Sequence, residues 1–237
     1  MMITLVTLFP EMFKGPFEHS IVKNAINKNL AVVNYVNIRD FGMGKHKVVD
    51  DKPYGGGKGM IIRVDVLEKA IEKAKELYET NDKNRKIILL EPVGKTFNQK
   101  KAAQFSKIKH LILICGHYEG FDARIKKYVD EVISIGDFIS TGGEIPAMLI
   151  VDSVIRLIKG VLPENVTNEE SFSRKVDYGE IYLEYPQYTR PEVYNNLKVP
   201  NILLSGDHKK IANWREKQAI NITLKARPKI LRIKKAR

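Results

Sequence analysis

Residues 111–147, LILICGHYEGFDARIKKYVDEVISIGDFISTGGEIPA, constrain the fold more than any other stretch. They fall into two halves of the same form. An apolar run at 111–114 breaks at Cys115-Gly116 into a polar loop carrying Glu119, Asp122 and Arg124. A second run at 132–135 breaks at Gly136-Asp137 and again at Thr141-Gly142-Gly143-Glu144. Short apolar, β-branched runs that stop at glycine read as buried strands. Glycines just past a strand end let backbone come close to a ligand. Open α/β sheets bind ligands outside the carboxyl ends of their strands. Two readings follow: two strand-end loops facing one ligand, or two ordinary turns.

The chain of 237 residues can bury a full core in one large or two smaller domains. No apolar stretch approaches the length that spans a bilayer, so no membrane is expected. The opening MMITLVTLFPEM has no basic leader and no small-residue cleavage site, and reads as a first strand. The single cysteine, Cys115, excludes an intrachain disulfide and a Cys-rich zinc site, which is compatible with a cytoplasmic protein. Charge is unevenly placed. Residues 207–237 hold eleven Lys/Arg against two acids, whereas the other 206 residues hold 29 basic and 26 acidic side chains. A near-neutral body with a basic end suggests a polyanionic partner, most simply nucleic acid; the alternative is a solvated tail.

Read in order, residues 2–9 form a strand, and Pro10-Glu11 starts a helix with Phe13, Phe17, Ile21 and Ala25 on one face. Residues 31–38 alternate as a second strand. Residues 39–59 form a long polar loop with four glycines in its last five positions. Asp65 and Glu68 suggest a capping box before an amphipathic helix bearing Leu67, Ala70, Ile71, Ala74, Leu77 and Tyr78. A third strand, 86–91, ends at Pro92-Val93-Gly94, and Asn98 caps a short helix. Pro146 sits in the first turn of a helix that is apolar almost all round. Residues 160–185 turn acidic and aperiodic, a linker with local order at most. A short strand at 202–204 and a helix opened by Asp207 complete the chain. Gly94-Lys95-Thr96 lacks the upstream glycine of a phosphate loop, and the five histidines show no metal-ligand spacing.

Five segments together resemble one family. Val49-Asp50-Asp51-Lys52-Pro53-Tyr54-Gly55-Gly56-Gly57, Cys115-Gly116-His117-Tyr118-Glu119-Gly120, Ser134-Ile135-Gly136-Asp137-Phe138 with Gly142-Gly143-Glu144-Ile145-Pro146-Ala147-Met148, Tyr188-Thr189-Arg190-Pro191, and Leu203-Leu204-Ser205-Gly206-Asp207-His208 are similar, in the same order, to motifs of the bacterial tRNA (guanine-N1)-methyltransferases, the TrmD family. The resemblance covers nearly the whole chain. It implies an α/β fold of the SPOUT class, with a largely parallel sheet and a C-terminal trefoil knot, plus a small, mainly helical C-terminal domain. The implied division is a catalytic and cofactor-binding domain at 1–160, an acidic linker at 161–185 and a basic tRNA-binding domain at 186–237. It also implies a homodimer with active sites shared between subunits, S-adenosylmethionine bound in the knot, and N1-methylguanosine at position 37 of tRNA as product. Magnesium is raised as an assisting ion by the resemblance alone.

Site residues carry over position by position. The resemblance places Leu90, Pro92, Gly116, Ile135, Gly136, Asp137, Phe138, Ile139, Ser140, Gly142, Gly143 and Pro146 around the cofactor. It places Glu119, Asp50, Gly57 and Gly59 near the guanine nucleotide. Arg156 matches the arginine that faces guanine O6; an interface ion pair is the alternative. The family's catalytic base is an aspartate before Ser-Phe, and here Glu170 stands before Ser171-Phe172, with Glu169 as neighbour; the alternative is that both are solvated linker acids. Glu119 has an alternative as a helix cap. Further departures are Phe138 for tyrosine, Ser140 for leucine, a longer linker and a shorter C-terminal domain. They keep open a methyltransferase for another RNA position, or a non-catalytic RNA-binding relative.

Overall fold

The computed structural model describes residues 1–168, 170–173 and 182–227. The chain divides into two compact units, Met1–Pro163 and Glu164–Arg237. In chain order the first comprises β1 (Met2–Thr7), α1 (Ser20–Asn27), β2 (Val32–Asn37), β3 (Asp50–Asp51), β4 (Ile61–Ile62), α2 (Val64–Glu76), β5 (Arg85–Thr96), α3 (Gln99–Phe105), β6 (His110–Ile114), β7 (Glu131–Ser134) and α4 (Glu144–Ile155). Five strands make one parallel sheet in the order β2-β1-β6-β5-β7, and β3 pairs antiparallel with β4. Helices cover both faces, so the central strands are apolar on both sides. In β6, Leu111 and Leu113 point into the core under α1, α3 and α4, while Ile112 and Ile114 point into the core under α2.

Several expectations hold. Leu67, Ala70, Ile71 and Ala74 bury one face of α2, joined by Val66, whereas Leu77 is the C-cap and stays 37% exposed. Asn98 caps α3, its side chain accepting from Lys101 N at 3.0 Å. Seven of the twelve residues of α4 are buried, including Glu144 and Pro146.

Other expectations are corrected. The helix expected from Pro10 is two pieces, a 3-10 turn at Pro10–Phe13 and then α1. Gly15 has φ +91°, and Pro16 lacks the N–H that a continuous helix needs. Asp65 is not a cap: Arg63 holds the N-cap position without a side-chain bond, and its guanidinium forks onto the Asp65 carboxylate at 3.0 and 2.8 Å. That hydrogen bonding holds Asp65 below the usual carboxylate range. The 39–59 loop is also more ordered than its composition suggests, with a 3-10 turn at Ile38–Phe41, a Met43–Val48 bridge and the β3–β4 ladder.

The third strand does not stop at Glu91. Strand β5 runs on to Thr96, and both Leu90 and Lys95 pair with Ile133 of β7. The four residues between them leave the ladder and return to it. A proline is tolerated in such a bulge because no ladder hydrogen bond is asked of it.

At the amino ends of the strands lies a sealed polar cluster. His110 is fully buried and shares a 2.9 Å hydrogen bond with Thr4 Oγ1. Arg85 Nη2 donates to the carbonyls of Lys75 and Tyr78, and the Tyr78 ring meets the His110 ring edge-on. Burial, with the Arg85 charge second, pushes His110 down to about 4.

The second unit contains β8 (Val193–Tyr194), β9 (Leu197–Lys198), α5 (Asn201–Leu204) and α6 (His208–Ala226). The strand expected at 202–204 is the single turn α5; three apolar residues in a row carry no period that separates strand from helix. The β8–β9 hairpin turns through Asn195 and Asn196, both at positive φ, as a two-residue hairpin turn requires. Asp207 caps α6 by accepting from Lys210 N at 3.0 Å. Residues on either side of 174–181 are tied together and to α6. Phe172 N donates to Tyr182 O (3.2 Å), Glu184 N to Ser171 Oγ (3.0 Å), and Leu183 N to Thr223 Oγ1 (2.9 Å). The alternative base Glu169 and the last basic residues, 228–237, lie outside the described residues.

Candidate cofactor cleft and active-site residues

The two glycine-broken loops after β6 and β7 pack directly on each other. Gly143 N donates to Gly116 O at 2.7 Å. A Cβ at Gly143 would lie 2.6 Å from Gly116 N and 2.7 Å from Cys115 Cα. The φ of Gly143 is an ordinary −81°, so space, not conformation, demands glycine there. The first job of these glycines is therefore to let one loop backbone touch the other. The cleft is what the touching loops enclose.

Glu144 fixes the junction from below. It is 1% exposed, and its Oε1 accepts from Thr7 Oγ1 of β1 at 2.7 Å. Its place as first residue of α4 sets a carboxylate against the positive end of the helix. Burial, and the Glu144 charge next, push the Cys115 thiol well up, which makes it a packing residue rather than a nucleophile.

Between the loops is a cleft of about 460 Å³, within the range of small-molecule sites. Ten of the twelve residues expected around a cofactor line it: Leu90, Pro92, Gly116, Ile135, Phe138, Ile139, Ser140, Gly142, Gly143 and Pro146. Gly136 and Asp137 belong to the same loop but are not on the cleft wall. Sequence reasoning missed Glu91, Val93, His117, Tyr118, Phe121, Ile133, Ser134 and Thr141, which also line it. Glu91 and Val93 arrive with the β5 bulge, for which the only sequence signal was Pro92 and Gly94. His117 is wedged between the rings of Phe9 and Tyr118, at 4.9 and 5.0 Å, and its Nδ1 is buried without a hydrogen-bond partner among the described residues. Apolar side chains, a ring of loop backbone and one spare imidazole nitrogen suit a flat, polar-edged ligand such as an adenosine derivative.

The residues expected on the nucleotide side gather at one edge. Glu119 lines the cleft mouth, and its N–H donates to Met60 O at 3.0 Å. Ile62 N donates to Gly120 O (2.9 Å) and Asp122 N to Ile62 O (3.0 Å), so β4 holds the Glu119 loop in place. Asp50 pairs with Ile62 across β3–β4. A Cβ at Gly59 would overlap Glu119 Cγ, so Gly59 abuts Glu119 directly. Gly57 stands two residues further out, at φ +134°. Glu119 caps nothing: Asp122 is the cap of the following 3-10 turn, accepting from Arg124 N at 2.9 Å.

The structure does not bring every expected residue to this cleft. Arg156 is the C-cap of α4, at the opposite end of that helix from Glu144 and Pro146. Glu170 belongs to the second unit, where its carbonyl accepts from Ser173 N at 3.0 Å. Among the described residues, no group of three or more His, Cys, Asp or Glu side chains is placed to hold a metal ion, and no helix is long and apolar enough to cross a membrane.

The family model for tRNA (Guanine-1)-methyltransferase TrmD matches residues 1–233. The chain belongs to the TrmD family. A tRNA (guanine-N(1)-)-methyltransferase of Carboxydothermus hydrogenoformans is 51% identical over 237 residues, covering 99% of this chain and 88% of the relative. That of Dictyoglomus turgidum is 50% identical over 231 residues, 97% and 89% of the two chains. That of Metamycoplasma arthritidis is 46% identical over 231 residues, 98% and 96%. As a member of the TrmD family the chain is an enzyme, an S-adenosylmethionine-dependent methyltransferase of guanosine in tRNA. Its parallel sheet is the SPOUT-class fold with the trefoil knot characteristic of TrmD proteins.

Proposed function

We propose that the enzyme methylates N1 of guanosine 37 in tRNA, working as a homodimer with each active site built from two subunits. One observation carries the reading: ten residues expected around S-adenosylmethionine line one cleft with Glu119 at its mouth. In this reading the first unit holds the cofactor and the second grips the tRNA, with Lys209, Lys210, Lys217 and Lys225 of α6 available to phosphates.

The chemistry sets the demands on the residues. Guanine N1 carries a proton and is a poor nucleophile at neutral pH. Bound S-adenosylmethionine supplies a methyl group made electrophilic by its sulfonium. The chain must then hold the base edge, remove the N1 proton and stabilise the negative charge that grows on O6. Glu119 accepts from the guanine N–H edge, held in register by the β4 hydrogen bonds. Glu170 takes the N1 proton; it is one methylene longer than the family aspartate, with a similar reference pKa. Arg156 donates to O6. A positioned base contributes about 10²–10⁴-fold and one well-aimed donor about 10²–10³-fold.

The position of Arg156 supports the shared site. It lies ten residues beyond Pro146 on α4, about 15 Å along the axis at 1.5 Å per residue. A guanidinium there serves a cleft other than the one Pro146 lines. Ile145 and Leu149, one turn apart on α4, are 53% and 48% exposed and offer apolar surface for a second copy.

The test is methyl transfer to tRNA transcripts carrying guanosine or adenosine at position 37, with the modified nucleoside identified. N1-methylguanosine in the first transcript alone is expected; equal labelling of both rejects the assignment. Glu170→Gln is expected to lower kcat about 10²–10⁴-fold, and full activity in that variant removes Glu170 from the role.

A further inference from the structure

The second unit has a cleft of its own, about 400 Å³, which the cofactor chemistry does not use. The strap of residues 185–190 forms one wall, and α5 with the start of α6 forms the other. Val199, Leu203 and Ile211 make an apolar floor. Tyr185 forms a flat side, and the Arg215 guanidinium lies 4.9 Å above its ring. Tyr188 stands opposite solvent at 48% exposure, its ring 6.4 Å from that of Trp214. Arg190, Thr189, Gln187 and Glu192 ring the opening.

Each part has a physical meaning. Tyr185 is anchored: it packs on the buried pair Tyr182 and Ala219. Tyr188 and Leu204, by contrast, are large, apolar and left in water at 48% and 50% exposure. Tyr188 is an exposed aromatic with a second ring, that of Trp214, at its side, and exposed aromatic rings are stacking platforms for a base. The polar rim carries both acceptors and donors for a base edge. Six Lys/Arg on α6 and at its end (Lys209, Lys210, Arg215, Lys217, Lys225 and Arg227) supply charge for phosphates on either side of it. A pocket for an apolar peptide side chain would not need that charge.

We propose that this cleft takes one unstacked nucleotide of the RNA substrate, its base stacked on Tyr188 and its phosphate held by Arg190. The proposal rests on the tRNA reading above and deepens it. The second unit then holds RNA by a base as well as by charge, and the cleft serves substrate positioning.

The two modes of holding are separable by salt. A lost phosphate contact flattens the dependence of log Kd on log salt by about 0.7–0.9, whereas a lost stack weakens binding at every salt concentration alike. The experiment measures Kd of the full chain for a tRNA transcript over a salt series. Tyr188→Ala is expected to weaken binding about 5- to 100-fold with an unchanged slope, the loss typical of one base–aromatic stack. Tyr188→Phe, which keeps the ring, is expected within about threefold of wild type, and Arg190→Ala is expected to flatten the slope by about one. Far-UV circular dichroism and the thermal unfolding transition report that the second unit stays folded; Trp214 emission does not serve, because its ring neighbours Tyr188. A folded Tyr188→Ala protein that binds the transcript as wild type does overturns the proposal, and is what a peptide-binding cleft would give. Wild-type turnover on the same transcript is measured alongside: turnover with unchanged Tyr188→Ala affinity rejects the nucleotide cleft alone, and neither turnover nor binding rejects both readings.

Discussion

At the amino ends of the sheet, His110, Thr4, Arg85 and Tyr78 close a polar cluster away from water. At the carboxyl ends of the same strands, loops enclose a cleft, and large side chains such as Phe138 and Ile139 stay 60% and 81% exposed. One end packs side chains over one another, with Arg85 Nε and His110 Nδ1 buried without a hydrogen-bond partner among the described residues. The other uses glycine to bring backbones together and leaves the surrounding polar groups for a ligand. Stability and function are thus separated along the strand direction, and substitutions at the two ends should fail in different ways.

The largest expected effect is at the open end. Gly143→Ala forces a methyl group into the Cys115–Gly116 backbone. Displacing the loop by about 1 Å costs on the order of 100-fold in a site that depends on position, so S-adenosylmethionine affinity should fall by at least that much. The accompanying stability loss should be about 1–3 kcal/mol, as for other overpacked sites. A variant with reduced melting temperature and intact cofactor affinity would break the comparison, because the glycine would then serve folding alone.

Next is the junction under the cleft. Thr7→Val removes the hydroxyl that Glu144 accepts from and leaves a buried carboxylate short of a donor. Denaturant unfolding should show a loss of about 1–3 kcal/mol. Because α4 begins at Glu144, KM for the cofactor should rise more than kcat falls. Thr7→Ser, which keeps the donor, should recover most of both.

The sealed end should respond to pH and not to ligand. His110 titrates near 4 in the folded protein against about 6.5 when unfolded, so the fold holds it neutral. Its contribution is complete above pH 6.5 and is lost as pH falls toward 4, because there the unfolded chain binds the extra proton. At about 1.4 kcal/mol per unit, stability at pH 5 should be about 1–2 kcal/mol below that at pH 8 from this group. His110→Gln should remove that slope between pH 6.5 and 5. An identical slope in the variant would assign it elsewhere.

The smallest effect sharpens the contrast. Arg124→Ala deletes a fork onto Asp122 whose arginine side chain is 68% exposed. Exposed pairs contribute about 0–1 kcal/mol, so stability and cofactor affinity should both stay close to wild type. A large loss of guanine methylation in this variant would extend the nucleotide edge beyond Glu119.

The sequence legibility followed local physics. The glycine-marked ends of β6 and β7, the buried face of α2, the apolar α4 and the caps Asn98 and Asp207 are each set by a few neighbouring residues, and each is readable. Where contacts are distant, reading failed. Pro92 and Gly94 looked like the end of a strand because nothing local tells that Leu90 and Lys95 would share Ile133 as partner. That bulge delivers Glu91 and Val93 to the cleft, so the same non-local pairing hid part of the site. Asp65 looked like a cap because the competing partner, Arg63, acts through side-chain geometry rather than backbone. The glycines at 142 and 143 read as marks of close approach to a ligand, whereas the group they approach is the Gly116 loop, twenty-six residues from Gly142 in sequence.

The contact of Gly143 with Gly116 is the joint on which the cleft depends. Calorimetric titration of S-adenosylmethionine into wild-type protein and Gly143→Ala, each shown folded at the titration temperature by a cooperative unfolding transition, tests it most directly. One site per chain in the wild type and a loss of at least 100-fold in the variant is the predicted result. Equal affinity in the two proteins would contradict it, and would move the cofactor away from the junction of the two loops.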